Sequence, residues 1–329
     1  MKILVLGSGS FAGQAVFSNL ISKGFEVYGI NRSQPRNKIF WESLSELNLE
    51  SKKLWFTINI EKEPEKMAQF INSINPTHII DFMGQGMVAA SWDDPMLWYE
   101  TNISRKTYIL EKIRKLKNLE KYVRAGTPEV FGSSLYKFNE ESSFNPSTPY
   151  AVSHAAIDFH IRCLGKNYDF PYSIGRFSNF YGEGQQLYRV IPKAILCFLN
   201  KKQFIVDGNG GSLRSFIYKK DFVDAIEKLL FNAKPVSEYN FSSNEEVSII
   251  QLVKMICKET NVDFKSFVSF GPERPGKDHI YRLNCDKAMI DLNWSHKIDL
   301  NFGIKKVYKW ISNNLDYLSS QSWNYNHRC

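Results

Sequence analysis

The chain is predicted to fold as an α/β protein, a doubly wound parallel sheet with a smaller C-terminal lobe, and three features of its 329 residues predict it. The opening run Lys2 to Leu6 is apolar, too short for a helix, and breaks into a glycine-rich turn before a helix-length segment that ends near Lys23. A second short strand, Glu26 to Ile30, completes a βαβ start. Beyond it, short apolar strands keep alternating with helix-length segments, which requires a parallel sheet with helices on both faces. That regularity loosens after Tyr181.

In chain order, further strands are expected at Leu54 to Ile58, His78 to Phe82, Lys121 to Ala125 and Tyr172 to Arg176, with helices over Glu63 to Ile74, Pro95 to Leu116 and Tyr150 to Tyr168. A first unit is therefore expected over residues 1–181, with segments returning to it near 204–246. A second, mainly over 182–329, mixes helices such as Ser248 to Thr260 with Pro/Gly-rich loops such as Gly271 to Gly276. No internal repeat or low-complexity linker separates the two.

Composition narrows the function. With 43% hydrophobic and 23% charged residues the chain belongs to the ordinary soluble globular class. The formal charge of +8 raises the question of an acidic partner. Its lysines, however, are scattered singly or in short runs such as Arg114-Lys115-Leu116-Lys117, and no basic stretch is interleaved with aromatics, so phosphorylated small molecules rather than nucleic acid are the expected anions. The five cysteines, Cys163, Cys197, Cys257, Cys285 and Cys329, form no Cys-x-x-Cys pair, so neither a disulfide framework nor a metal site is expected. A reducing, cytoplasmic location follows as an expectation. No apolar run approaches a membrane span, and none has the form of a signal peptide.

Between the first strand and helix lies Gly7-Ser8-Gly9-Ser10-Phe11-Ala12-Gly13. Glycines there let the backbone turn tightly and approach a pyrophosphate, which then sits on the helix N-terminus where N–H groups and the helix dipole favour negative charge. Gly7, Gly9, Ser10, Phe11, Ala12 and Gly13 are thus the candidate dinucleotide loop. At the end of the second strand, where an Asp or Glu would take the ribose hydroxyls of NAD, stand Asn31-Arg32-Ser33, with Arg36 close behind. Loss of the acid and gain of arginine favour the 2′-phosphate of NADP, with NAD as the alternative.

A second constellation opens the helix after Pro149. Tyr150 and His154 are four apart, hence on one helical face, where both can address one ligand. The spacing is that of a Tyr-x-x-x-Lys pair, in which a cation lowers a phenol pKa of about 10 toward the working range. Histidine, mostly neutral at pH 7, does this less well.

The Gly7 to Gly13 loop, the Thr127 segment, the Tyr150 helix and the C-terminal motifs together resemble the extended short-chain dehydrogenases/reductases that modify nucleotide sugars, and the resemblance runs over nearly the whole chain. Within that family, Asp81 to Asn102, Ile191-Pro192, Arg214-Ser215-Phe216-Ile217-Tyr218 and Arg274-Pro275-Gly276-Lys277-Asp278 look like the nucleotide-sugar 4,6-dehydratases, such as those acting on dTDP-glucose and GDP-mannose. The resemblance implies a Rossmann fold, a dinucleotide cofactor, a nucleotide-diphosphate sugar as substrate and a homodimer built on the Pro95 to Leu116 and Tyr150 to Tyr168 helices. It implies that Thr127 and Tyr150 handle the sugar C4 hydroxyl, that Glu129 takes the C5 proton, and that the residue at 154 contacts the nicotinamide ribose. Asn179, Arg189, Arg214 and Arg274 are the implied diphosphate ligands, and Gln85 faces the sugar.

The sequence departs from the family at several of these places. Thr127 is followed by Pro128 where an Asp-type acid is usual, His154 replaces Lys, Gln85 and Met87 replace other residues near the sugar, and Ser10 replaces a loop glycine. Three readings follow. One is transient C4 oxidation with loss of water, giving a 4-keto-6-deoxy sugar or a 5,6-alkene. The second is epimerisation or 4-keto reduction, which uses Thr127 and Tyr150 without Glu129. The third is a dinucleotide-binding protein without turnover.

Overall fold

The computed structural model describes residues 1–41, 54–273 and 279–325. Among the described residues seven strands form one sheet, in spatial order Ser237–Phe241, Tyr172–Phe177, Lys121–Gly126, His78–Asp81, Lys2–Leu6, Glu26–Asn31 and Trp55–Thr57. Every neighbouring pair is parallel. The chain winds outward in one direction from Lys2–Leu6 and in the other from His78–Asp81, with Leu6 paired to Ile30 on one side and to Asp81 on the other. The order reverses there, and open α/β sheets bind their ligands in the crevice at the carboxyl ends of such strands.

Helices cover both faces, so the central strands are continuous apolar runs rather than alternating ones. Ile3 and Val5 pack to one side with Phe17, Val27 and Phe222, while Leu4 and Leu6 pack to the other with Ile71, Ile109 and Ile157, as the two-residue period of a strand requires. The first side continues through Ile195, Leu252 and Ile304, which lie on the helices Val190–Leu199, Ile249–Thr260 and Leu300–Asn313. One apolar core therefore joins the sheet to the later segments. Smaller sheets of three and two strands gather there, including Asn179–Tyr181 beside Leu213–Tyr218. Among the described residues no helix is long and apolar enough to cross a membrane.

Two elements differ from expectation. The helix expected over Pro95 to Leu116 is Pro95–Tyr99, a π-helical stretch Glu100–Arg105, and Lys106–Ile113. Such a widened turn re-aims side chains and is frequent at functional sites. The second is Ser237–Phe241, wholly buried beside Tyr172–Phe177 within the expected returning segment. Its polar residues hide it from a hydrophobicity reading because each finds a partner, Ser237 on Ser173 at 2.9 Å and Glu238 on Arg162 at 2.6 Å.

Beneath the helix Pro149–Tyr168 lies an enclosed ion cluster. Asp158, with no exposed surface, accepts from Arg124 Nε and Arg176 Nη2, each at 2.8 Å. Arg176 Nη1 also reaches Glu238 at 2.8 Å. Burial alone would push the Asp158 pKa up, but the Arg176 and Arg124 guanidiniums outweigh it and hold the carboxyl below its usual range. A carboxyl so depressed contributes stability above its unfolded value near pH 4, and that stability is lost as pH falls through the lower folded value. Asp158→Ala leaves both guanidiniums buried without their shared carboxylate, and it is expected to cost about 3–5 kcal/mol in urea unfolding. An unchanged urea midpoint would contradict this role.

Candidate active site

Gly7, at φ +75°, turns the chain out of the first strand, and a Cβ on Gly13 would fall 2.2 Å from the Gly7 carbonyl oxygen, so neither position admits a side chain. Ser10, the departure from the glycine loop, caps the helix Phe11–Ser22 by accepting from the Gly13 N–H at 3.0 Å. The helix N-terminus is thus directed at the crevice with its turn built around it. Asn31 donates to the Ser33 carbonyl and hydroxyl, both at 3.1 Å, and Arg32 and Ser33 are exposed at the same strand end. Arg36 is placed differently from expectation: its guanidinium stacks 3.6 Å over Phe40 and donates to the Gly184 carbonyl at 3.5 Å.

At the end of His78–Asp81 a polar frame holds the next wall of the crevice. Asp81 accepts from the Met83 N–H at 2.8 Å and from the Tyr122 hydroxyl at 2.5 Å. Lys106, from the helix after the π-helical stretch, pairs with Asp81 at 2.9 Å and donates to the Met83 carbonyl. Burial pulls the Lys106 pKa down to about 8 against the opposing pull of Asp81. Asn102, from that stretch, accepts from the Gln85 N–H at 2.6 Å, donates to the Gln85 carbonyl at 3.1 Å, and donates to Ser153 Oγ at 3.0 Å. The Gln85 side chain, expected on the sugar, is buried and donates to Glu61 at 2.9 Å.

Thr127, Pro128 and Glu129 follow the strand Lys121–Gly126. Thr127 caps a short turn Pro128–Phe131 by accepting from the Glu129 N–H at 3.4 Å. Opposite, Tyr150 sits in the first turn of Pro149–Tyr168, its N–H donated to Ser91 Oγ at 3.1 Å, and Thr148 caps the helix by accepting from the Ala151 N–H at 3.2 Å. These bonds fix the backbone of the helix turn that carries Tyr150. Burial and the Glu129 charge push its pKa up, while a hydrogen bond with Thr127 and the charges of Arg189 and Arg124 act in the opposite direction. Thr127, Glu129 and Tyr150 therefore share one locus, with two cations within electrostatic reach.

His154 lies against Tyr150, ring centroids 4.4 Å apart. Its Nδ1 is 3.1 Å from Arg124 Nη2, and its Nε2 is buried with no hydrogen-bond partner among the described residues. Burial, then Arg124 and Lys106, hold its pKa well below the usual value, so the ring is neutral at physiological pH.

On the substrate side, Asn179 and Arg214 are brought together by Tyr281. The Tyr281 hydroxyl donates to Asn179 Oδ1 at 3.3 Å, and the Arg214 guanidinium lies 4.7 Å from the Tyr281 ring. Arg189 is exposed and extends toward Gly86, 4.0 Å from where a Cβ there would stand. Arg274 lies outside the described residues, as does the rest of 274–278. Sequence reasoning missed Arg124, Asn102, Lys106 and Tyr281. A charged residue inside the apolar strand Lys121–Gly126 was the signal for Arg124, since an arginine is almost never fully buried unless paired.

The crevice residues fit a dinucleotide, because a helix N-terminus stands behind Gly7 to Gly13 and the buried Nε2 of His154 has no hydrogen-bond partner among the described residues.

The sequence model of the GDP-mannose 4,6 dehydratase family matches residues 4–307. Human dTDP-D-glucose 4,6-dehydratase is 35% identical over 214 residues, spanning 63% of this chain and 61% of that protein. An Escherichia coli dTDP-glucose 4,6-dehydratase is 27% identical over 96% of this chain and 95% of its own length. The structure of a dTDP-glucose 4,6-dehydratase from Streptomyces venezuelae, solved with NAD bound, superposes with a TM-score of 0.88 at 21% identity, over 96% of this chain and 98% of that one. A UDP-glucose 4-epimerase from Thermotoga maritima, solved with UDP-glucose, gives 0.85 at 23% identity over 96% and 100%. The structural likenesses establish the fold, whereas the family match runs through the glycine loop, the Thr127 turn, the Tyr150 helix and the Arg214 strand, and on it the chain belongs to the GDP-mannose 4,6 dehydratase family.

Proposed function

We propose that this chain dehydrates a nucleotide-diphosphate hexose through transient oxidation at C4. The observation that carries the reading is the convergence of Thr127, Glu129 and Tyr150, in which the Glu129 charge and the Thr127 hydrogen bond both act on the Tyr150 phenol. A nicotinamide dinucleotide, when bound, supplies the hydride acceptor and later the hydride donor. Thr127 holds the C4 oxygen, and Tyr150 takes the C4 hydroxyl proton as its phenolate, the form that burial and Glu129 oppose and that the Thr127 hydrogen bond and the charges of Arg189 and Arg124 favour. Oxidation at C4 acidifies the C5 proton, which Glu129 removes. Pro128 has no proton to give, so Glu129, carrying the C5 proton, hands it to the departing C6 hydroxyl, which leaves as water. Human and bacterial relatives named as dTDP-glucose 4,6-dehydratases support this reading.

Asn179, Arg189 and Arg214 are proposed to hold the diphosphate, because guanidinium groups match phosphate oxygens bidentately. Solved relatives carry NAD. With no acid at Asn31, and with Arg36 committed to Phe40 and Gly184, Arg32 is proposed as the residue that admits the 2′-phosphate of NADP. A homodimer is proposed through the outer faces of the Pro95–Ile113 and Pro149–Tyr168 segments, where Met96 is 69% and Phe159 50% exposed.

Pro128 also favours a second reading, epimerisation or 4-keto reduction, which needs Tyr150 and Thr127 but no acid at 128. Glu129→Gln separates the two: water loss is expected to fall by about 10²–10⁴-fold while C4 oxidation, followed by absorbance of the reduced dinucleotide, persists. Full product formation by this variant would end the dehydratase reading. Arg32→Ala is expected to weaken NADP by about tenfold more than NAD, equivalent to about 1.4 kcal/mol. Equal losses for both dinucleotides in a fluorescence titration would remove Arg32 from cofactor selection.

A further inference from the structure

The lysine of the Tyr-x-x-x-Lys pattern does two things from one side chain: it places a positive charge near the tyrosine and donates a hydrogen bond. Here the two properties stand on separate residues. Arg124 Nη2 approaches His154 Nδ1 at 3.1 Å, and an arginine has donors only, so Nδ1 must accept and the ring proton must sit on Nε2. Asp158, one helical turn beyond His154 on the same face, holds the Arg124 guanidinium through Nε at 2.8 Å, so the arginine cannot swing away. The ring nitrogen left over, Nε2, is buried and unpartnered among the described residues.

We propose that Arg124 and His154 act together as a divided lysine, Arg124 being a positioning residue that supplies the fixed cation and locks His154 as the Nε2–H tautomer, whose proton is donated to a ribose hydroxyl of the dinucleotide. This rests on the dinucleotide reading of the crevice but not on which sugar reaction follows. The charges facing His154 are Arg124 from the strand Lys121–Gly126, Lys106 from the helix Lys106–Ile113, and Asp158 from its own helix. The two cations oppose protonation of the ring and outweigh the carboxylate. His154 is therefore a permanent donor and takes no part as an acid. A lysine at 154 would bring an ammonium group against the Arg124 guanidinium, so restoring the family residue alone is harmful in this chain.

Long-range ¹H–¹⁵N spectra of histidine-labelled, ligand-free protein test the tautomer directly, with the His154 signal assigned by its loss in His154→Gln. The expected spectrum shows a neutral ring protonated on Nε2 and unchanged from about pH 5.5 to pH 8. A ring protonated on Nδ1, or one that titrates in that interval, overturns the proposal. Titration with NAD supplies a second readout. His154→Lys is expected to lower NAD affinity by about tenfold, and His154→Lys combined with Arg124→Gln to recover most of it. A single His154→Lys variant that binds NAD as well as the native chain or better would equally overturn it. If the tautomer and the NAD results hold while no sugar is converted, only the proposed reaction falls.

Discussion

The carboxylate of Asp158 organises this molecule from its interior. It draws Arg124 from one strand and Arg176 from the next onto the helix Pro149–Tyr168, all at full burial. Such a cluster is held by geometry, because any one charge left without its partner underground is costly. The consequence reaches the crevice through Arg124, whose Nη2 is turned onto His154. Tyr150, His154 and Asp158 are spaced four apart, so a single helical face carries the ion cluster at one end and the phenol at the other.

That arrangement limits what position 154 can be. Two like charges about 4 Å apart repel by about 4 kcal/mol at an effective dielectric of about 20, which exceeds the benefit of any single hydrogen bond a lysine would add there. With Arg124 fixed by Asp158, imidazole is a side chain that fits beside it while still offering one donor. The substitution that looks like damage in the sequence is, in the structure, matched by a second residue, Arg124, which the helical pattern does not reveal because it lies thirty positions earlier.

The fold was legible because its signals are local and repeated: apolar runs of strand length, a glycine turn opening a helix, and proline or threonine at the helix start. Element ends fell within a residue or two for Lys2–Leu6, Pro64–Ile74 and Pro149–Tyr168. Ser237–Phe241 was visible only as part of a returning segment, since Ser237, Glu238 and Asn240 are buried by partners distant in sequence. In the site, Gly7 and Gly13 were legible from turn geometry and the Tyr150/His154 pair from helical spacing, whereas Thr127 and Glu129 were named only through the family resemblance. The partners of Gln85 and Arg36, Glu61 for one and Phe40 with Gly184 for the other, were not legible, because they follow from tertiary packing. The same holds for the Tyr281 bridge between Asn179 and Arg214.

The most direct test of the proposed reaction is to incubate the protein, with NAD or NADP, with C4-deuterated UDP-, GDP-, CDP- and dTDP-hexoses and to follow the products by mass spectrometry and NMR. A product lighter by one water that keeps its deuterium, at C6 of a 4-keto-6-deoxy sugar or at C4 of a 5,6-alkene, is the predicted result. A product of unchanged mass with inverted configuration at C4, or no conversion of any of the four, would contradict it.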